Sequence, residues 1–271
     1  MTIPARSSGP GSSQPLLLAI ETAGSGCSAA ILRGAETLAT EHRVLRHRHA
    51  EALLPMIDRV ARAAGVEPGA LDLVAAAIGP GGFTGIRAGL AAAQGIALAS
   101  GARLVGVTGF AAVAAALRTR NPEWRSASDG QAGDNKTWAL LVALDSRRAD
   151  LYVQLFAEDC TTALAEPASV LPDRLASYVA GLIGGAALLA AGDLAEPAVK
   201  ILEEAFRPDR PVRAIPDSAP NALGVAAAAL LLAETGAPAA PVRPFYLRPP
   251  DVTLPKERNP GPAALGSTLG R

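Results

Sequence analysis

The chain has 271 residues, 49% hydrophobic and 18% charged, and its 25 lysines and arginines are matched by 25 aspartates and glutamates. Such a composition excludes a disordered polypeptide, and the zero net charge removes the long-range field with which a protein gathers a polyanion unaided. The length suits one large or two small packed domains.

Residues 1–14, rich in Gly, Ser and Pro, have no apolar core of their own; a flexible segment and no signal peptide are expected. Leu16–Glu21 (LLLAIE) reads as a short buried strand, 22–26 as a turn, 27–32 as a second strand and 36–42 as a third, alternating one. His49–Ala64 carries a helical repeat through Leu53, Leu54, Ile57, Val60, Ala61 and Ala64, with Gly65 as its stop. A buried strand over 73–78 runs into GPGGFTG (79–85) and then a long small-residue helix to about Ser100. A strand at 104–107 and a helix at 110–117 complete a first lobe, 15–117.

Residues 118–137 are polar and aperiodic, a mobile loop between halves. The second lobe, 138–235, holds strands at Trp138–Asp145 and 150–156, helices at 172–183 and 196–206 about a strand at 187–191, and a last helix at 221–234. Prolines recur over 236–271, a surface-hugging or disordered tail. Cys27 and Cys160 sit in strand-like surroundings and read as reduced thiols. The longest apolar runs, such as 223–233, are shorter than the roughly 20 residues that span a bilayer, so a soluble, cytoplasmic protein is expected.

LLLAIE, turn, CSAAIL is echoed by ALLVALD, turn, DLYVQLF, and each half later has a strand ending at glycine before a helix. The pattern predicts an α/β protein of two actin-like (ribonuclease H-like) lobes, each a mixed sheet flanked by helices. In that superfamily a strand-end aspartate and a Gly-Thr hairpin hold phosphate and magnesium. Here the stretch reads Glu21-Thr22-Ala23-Gly24, with a longer acid and a Cβ where amides would approach a phosphate. Glu21, Thr22 and the second-lobe counterpart Asp145 are therefore read as vestigial cleft residues, together with Gly81 and Gly82.

GPGGFTGIR (79–87) admits two readings: a helix N-terminus for an anion, or a tight turn with Thr84 capping the helix. His42, His47 and His49 fall within eight residues, but only His49 reads as helical, so a polar helix start is preferred to a metal site. No nucleophile, base and orienting group are set together. On the helix after GPGGFTG, Ile86, Leu90, Ala93 and Ala97 suit the sheet, while Thr84, Ala88, Ala91 and Gly95 form a strip of small residues. That strip is either a docking face, beside the exposed side of 49–64, or ordinary internal packing.

LLLAIETA (16–23), HAEALLPMID (49–58), GPGGFTGIRAGLAAAQGIA (79–97), DSRRADLYV (145–153) and RPFYLRPP (243–250) resemble, in that order, the TsaB family. The resemblance implies a degenerate relative of TsaD, the catalytic metal-binding subunit of the machinery that attaches threonylcarbamoyl to N6 of adenosine 37 in tRNA. It implies a heterodimer with TsaD through the helices at 49–64 and 84–98, joined by the ATPase TsaE, with tRNA met only through the complex. His49, Leu53, Ile57, Thr84, Arg87, Ala88, Ala91 and Gly95 become the expected partner-binding residues. No resident cofactor or metal is implied, although ATP or ADP could bind weakly or at the interface, and the isolated chain could form a homodimer. Glu21 in place of the family's aspartate, Gly82 in place of its serine, and the long loop depart from the pattern. The competing readings are a stand-alone small-molecule kinase or ATPase and a metalloprotease.

Overall fold

The computed structural model describes residues 14–45, 49–120, 137–206, 210–236 and 240–248, with backbone alone at His49 and Arg120. Ten strands build two five-stranded sheets. The first has the order β3-β2-β1-β4-β5, from Leu16–Glu21 (β1), Gly26–Arg33 (β2), Glu36–Val44 (β3), Leu73–Gly79 (β4) and Arg103–Thr108 (β5). The second has the order β10-β9-β6-β7-β8, from Trp138–Asp145 (β6), Leu151–Ala157 (β7), Ala168–Val170 (β8), Ala187–Ala191 (β9) and Val212–Ala214 (β10). In each sheet the first three strands form an antiparallel meander and the last two add in parallel. The repeat visible in the sequence is thus a repeat of topology, and the two actin-like lobes are present.

The central strands β1, β4 and β9 are apolar at almost every position because helices cover both faces, and all their residues are buried. The edge strand β3 is mostly exposed. Helices α1 (His49–Ala64) and α2 (Phe83–Ser100) cover one face of the first sheet. Helices α3 (Gly109–Arg120) and α6 (Ala222–Thr235) pack together between the sheets, and α4 (Pro172–Ile183) with α5 (Ala195–Phe206) cover the second sheet's far face. Leu17, Ile20, Leu53 and Ile86, each at most 1% exposed, anchor the first core. Burial of such a side chain stabilises by about 1.5–3 kcal/mol.

Three boundaries differ from the sequence reading. Helix α6 belongs to the first lobe: Ala222, Val225, Ala226 and Ala229 are buried in its core. The reason is a close crossing with α3, where a Cβ on Gly224 would lie 2.6 Å from the Ala112 carbonyl. Strands β8 and β10, three residues each, are too short for periodicity to register. Residues 240–248 of the expected tail pack on the body: Ala240 bridges Gly106 on β5 and the Phe245 amide donates to the Ile78 carbonyl at 2.8 Å. Residues 1–13 of the N-terminal segment, 121–136 of the predicted loop, and 237–239 and 249–271 of the tail lie outside the described residues.

Candidate functional site

The strand ends β1 and β6 meet across a cleft between the lobes. Glu21 closes β1 and is 1% exposed; its Oε1 accepts hydrogen bonds from the amides of Ala23 (2.7 Å) and Gly24 (2.9 Å). Burial drives its pKa from 4.5 up to about 7, against those two hydrogen bonds, with Asp193 adding repulsion and Arg147 opposing it. Asp193, after β9, accepts the Asp145 amide at 3.0 Å, and burial first, then Asp145, raise its pKa to about 6. Asp145 in turn accepts the Arg147 amide at 2.6 Å, holding that residue at φ 61°. The Arg147 guanidinium then crosses the cleft and donates through Nη2 to the Gly24 carbonyl at 2.8 Å.

The longer acid at position 21 explains this arrangement. A glutamate reaches back far enough to take the two turn amides itself. The second loop closes the same way: the Gly82 amide donates to the Ala23 carbonyl at 2.8 Å, and a Cβ on Gly81 (φ +154°) would sit 2.1 Å from that oxygen. Thr22 donates to the Gly85 carbonyl at 2.8 Å, and a Cβ on Gly89 would meet the Thr22 hydroxyl at 2.2 Å. Gly81 and Gly89 therefore let one loop lie against the other. The N-cap of α2 is Gly82, with no side-chain cap, so the capping role expected of Thr84 is not found. Thr84 is exposed in the first turn instead.

On α2, Ile86, Leu90, Ala93 and Ala97 are buried, while Thr84, Ala91 and Gly95 are exposed and Ala88 is half-buried. Open space surrounds a Cβ built on Gly95. Among the described residues the small-residue strip thus stays at the surface, with Leu98 (71% exposed) on the same helix; on the adjoining α1, Leu54 (57%) is exposed as well. Two residues expected on this surface are not there: Leu53 and Ile57 are 1% and 9% exposed and pack into the first core. Their spacing marks the inward stripe of α1, and Leu54 and Asp58 show instead. The side chain of His49 lies outside the described residues. Arg87 is exposed, its guanidinium 3.7 Å above the Phe83 ring and its Nε donating to the Tyr246 hydroxyl at 3.3 Å; Phe83 and Tyr246 stack at 5.5 Å.

Asp193, Arg147, Gly85, Gly89 and Tyr246 escaped the sequence reading. The pair Gly85 and Gly89, four apart on a helix, was the available signal for a close approach, and Asp193 follows the second lobe's strand as Pro80 follows the first lobe's. Among the described residues no group of three His, Cys, Asp or Glu side chains could hold a metal ion. Both cysteines are free; burial raises the Cys27 thiol to about 11. Arg43 and Arg59 share the Glu41 carboxylate, and residues 46–48, His47 among them, lie outside the described residues. Among the described residues no helix is long and apolar enough to cross a membrane.

The family model for TsaD, the tRNA N6-adenosine threonylcarbamoyltransferase, matches residues 42–176. The TsaB protein of Haemophilus influenzae, a tRNA threonylcarbamoyladenosine biosynthesis protein, is 36% identical over 101 residues, 37% of this chain and 42% of that one. Its Escherichia coli namesake is 29% identical over 136 residues, 50% and 52% of the two chains. The chain spans about half the length of these curated relatives. The solved structure of YeaZ, another name for TsaB, from Pseudomonas aeruginosa superposes on 86% of this chain and 100% of its own, with a TM-score of 0.67 and 25% identity. Sequence likeness over part of the chain and a shared fold across both lobes agree: the chain is similar to the TsaB proteins.

Proposed function

We propose that this chain is a non-catalytic subunit of the machinery that makes N6-threonylcarbamoyladenosine in tRNA. It binds a TsaD-type catalytic subunit through the α1/α2 face, with a TsaE-type ATPase joining the pair and tRNA met only through the assembly. The observation that carries this reading is the strip Thr84, Ala88, Ala91 and Gly95, which the chain's own fold leaves uncovered beside Leu54 and Leu98. Small side chains at four consecutive turns allow a second helix to approach closely, and the apolar flanks supply the burial. The match of a TsaD model to residues 42–176, which include both α1 and α2, supports a partner of similar shape, since related surfaces pack with near two-fold symmetry. The same symmetry allows a homodimer when the partner is missing.

The cleft supports a helper's role. Amides that would bind phosphate are taken by Glu21 and by the Ala23 carbonyl, which disfavours the kinase or ATPase reading.

The test is co-purification of the full chain with a tagged TsaD-type subunit. Ala91→Arg, at an exposed site, should weaken capture by about 100-fold while leaving the fold intact. Undiminished capture would remove the α2 face from the interface. Micromolar ATP binding by the isolated chain, abolished by Glu21→Ala, would favour the kinase reading instead.

A further inference from the structure

We infer that residues 240–248 form a strap that fastens the two lobes together, with the Arg248–Asp150 ion pair as its lock. The segment begins on the first lobe, where Ala240 bridges Gly106 at the edge of β5. It continues along β4, where the Phe245 amide donates to the Ile78 carbonyl at 2.8 Å. The approach is close enough that a Cβ on Gly79 would meet the Phe245 carbonyl oxygen at 2.6 Å. The Phe245 ring packs against both the first-lobe core and the core shared by α3 and the second sheet, and Leu247 joins the latter. The chain then reaches the second lobe. Arg248 pairs with Asp150 at 3.4 Å and donates through Nε to Ser169 on β8 at 3.1 Å.

Asp150 is 2% exposed, and its carboxylate also accepts hydrogen bonds from Ser146 and Ser169. A buried carboxylate whose cation is removed keeps its two serine donors but loses the opposite charge, so the pair favours the seated strap. Arg248 is itself 38% exposed, and solvent screening reduces the effect. One side contact ties the strap to the helix at the cleft mouth: Tyr246 stacks on Phe83 and accepts from Arg87. A segment bonded to a β5–β4 edge at one end and to β7–β8 at the other resists any hinge between the sheets.

The test uses the full chain with Gln94→Cys on α2 and Lys200→Cys on α5, both exposed positions, for a spin-label distance between lobes. The native Cys27 and Cys160 are buried and escape labelling. Arg248→Ala should broaden the distance distribution and speed hydrogen exchange at the Phe245 amide by about tenfold. Tyr246→Ala, which removes only an outer contact, should do the same to a smaller degree, and Arg248→Lys should restore most of the protection. Unchanged distance and exchange in Arg248→Ala would overturn the proposal. So would faster exchange with an unaltered distance, because the segment would then ride on the lobes without holding them.

Discussion

Glu21→Gln isolates the energetic consequence of burying an acid at the end of β1. In the folded chain its pKa lies at about 7, against an ordinary 4.5, and burial is the main cause. The displacement corresponds to about 3 kcal/mol. Its sign follows from the folded value being the higher one. Well below pH 4.5 the group is neutral in both states and withholds nothing; as pH rises toward 7 the unfolded chain ionises first, and stability falls until the folded pKa is passed. The amide Gln keeps an oxygen for the Ala23 and Gly24 amides but cannot ionise. Urea unfolding at pH 5 and pH 8 is the assay, because the carboxylates held below their ordinary values, Glu41, Asp150 and Asp159, titrate beneath that window. Wild type should lose about 2–3 kcal/mol across it on account of Glu21, or roughly 5–10 °C in Tm, and the variant should lose correspondingly less. Asp193, raised to about 6, adds a smaller loss of the same sign to both proteins. Parallel pH dependences in wild type and variant would refute the reasoning, whatever the absolute stability of either.

Gly81→Ala places a Cβ 2.1 Å from the Ala23 carbonyl at φ +154°, and should cost about 3 kcal/mol, read as a Tm lowered by about 10 °C. Gly89→Ala drives the same wedge against Thr22 and should both destabilise the chain and weaken capture by the partner, since α2 must shift; a stable variant with full capture would contradict the packing argument. Asn221→Ala removes the side-chain acceptor for the Gly224 amide at the start of α6 and should cost about 1 kcal/mol in urea unfolding, with no effect on partner capture.

Much of the architecture was legible because burial writes strongly on sequence. LLLAIE and WALLVALD are covered on both faces, so their apolar runs announce parallel-sheet centres, and α1 ends where Gly65 adopts a left-handed conformation (φ +64°). What failed was the allocation of α6. Its residues are small and apolar all round, and no periodicity says which sheet such a helix covers. The site was legible in part for a related reason. The outward strip on α2 can be read because large residues sit opposite it, whereas on α1 Leu53 and Leu54 look alike in sequence and only the helix phase puts the first inside and the second out. The cleft network needed coordinates, since Arg147 and Gly24 are 123 residues apart and no local signal couples them.

The loops that close the cleft also fix the pose of the helix proposed to dock. Thr22 holds α2 by the Gly85 carbonyl and nests against Gly89, while the Ala23 carbonyl takes the amide at the helix start. Every one of these contacts comes from the β1–β2 turn, whose shape depends on Glu21 gripping its own amides. A turn kept open for phosphate would leave those carbonyl and hydroxyl groups free to move with the ligand, and α2 would move with them. Glu21 fills the turn from within, and the turn in turn holds the first turn of α2. On the proposed function, the bonds that fill the turn also hold the docking helix, and substitutions at Glu21 should therefore reach the partner through Thr22 and Ala23 without touching it.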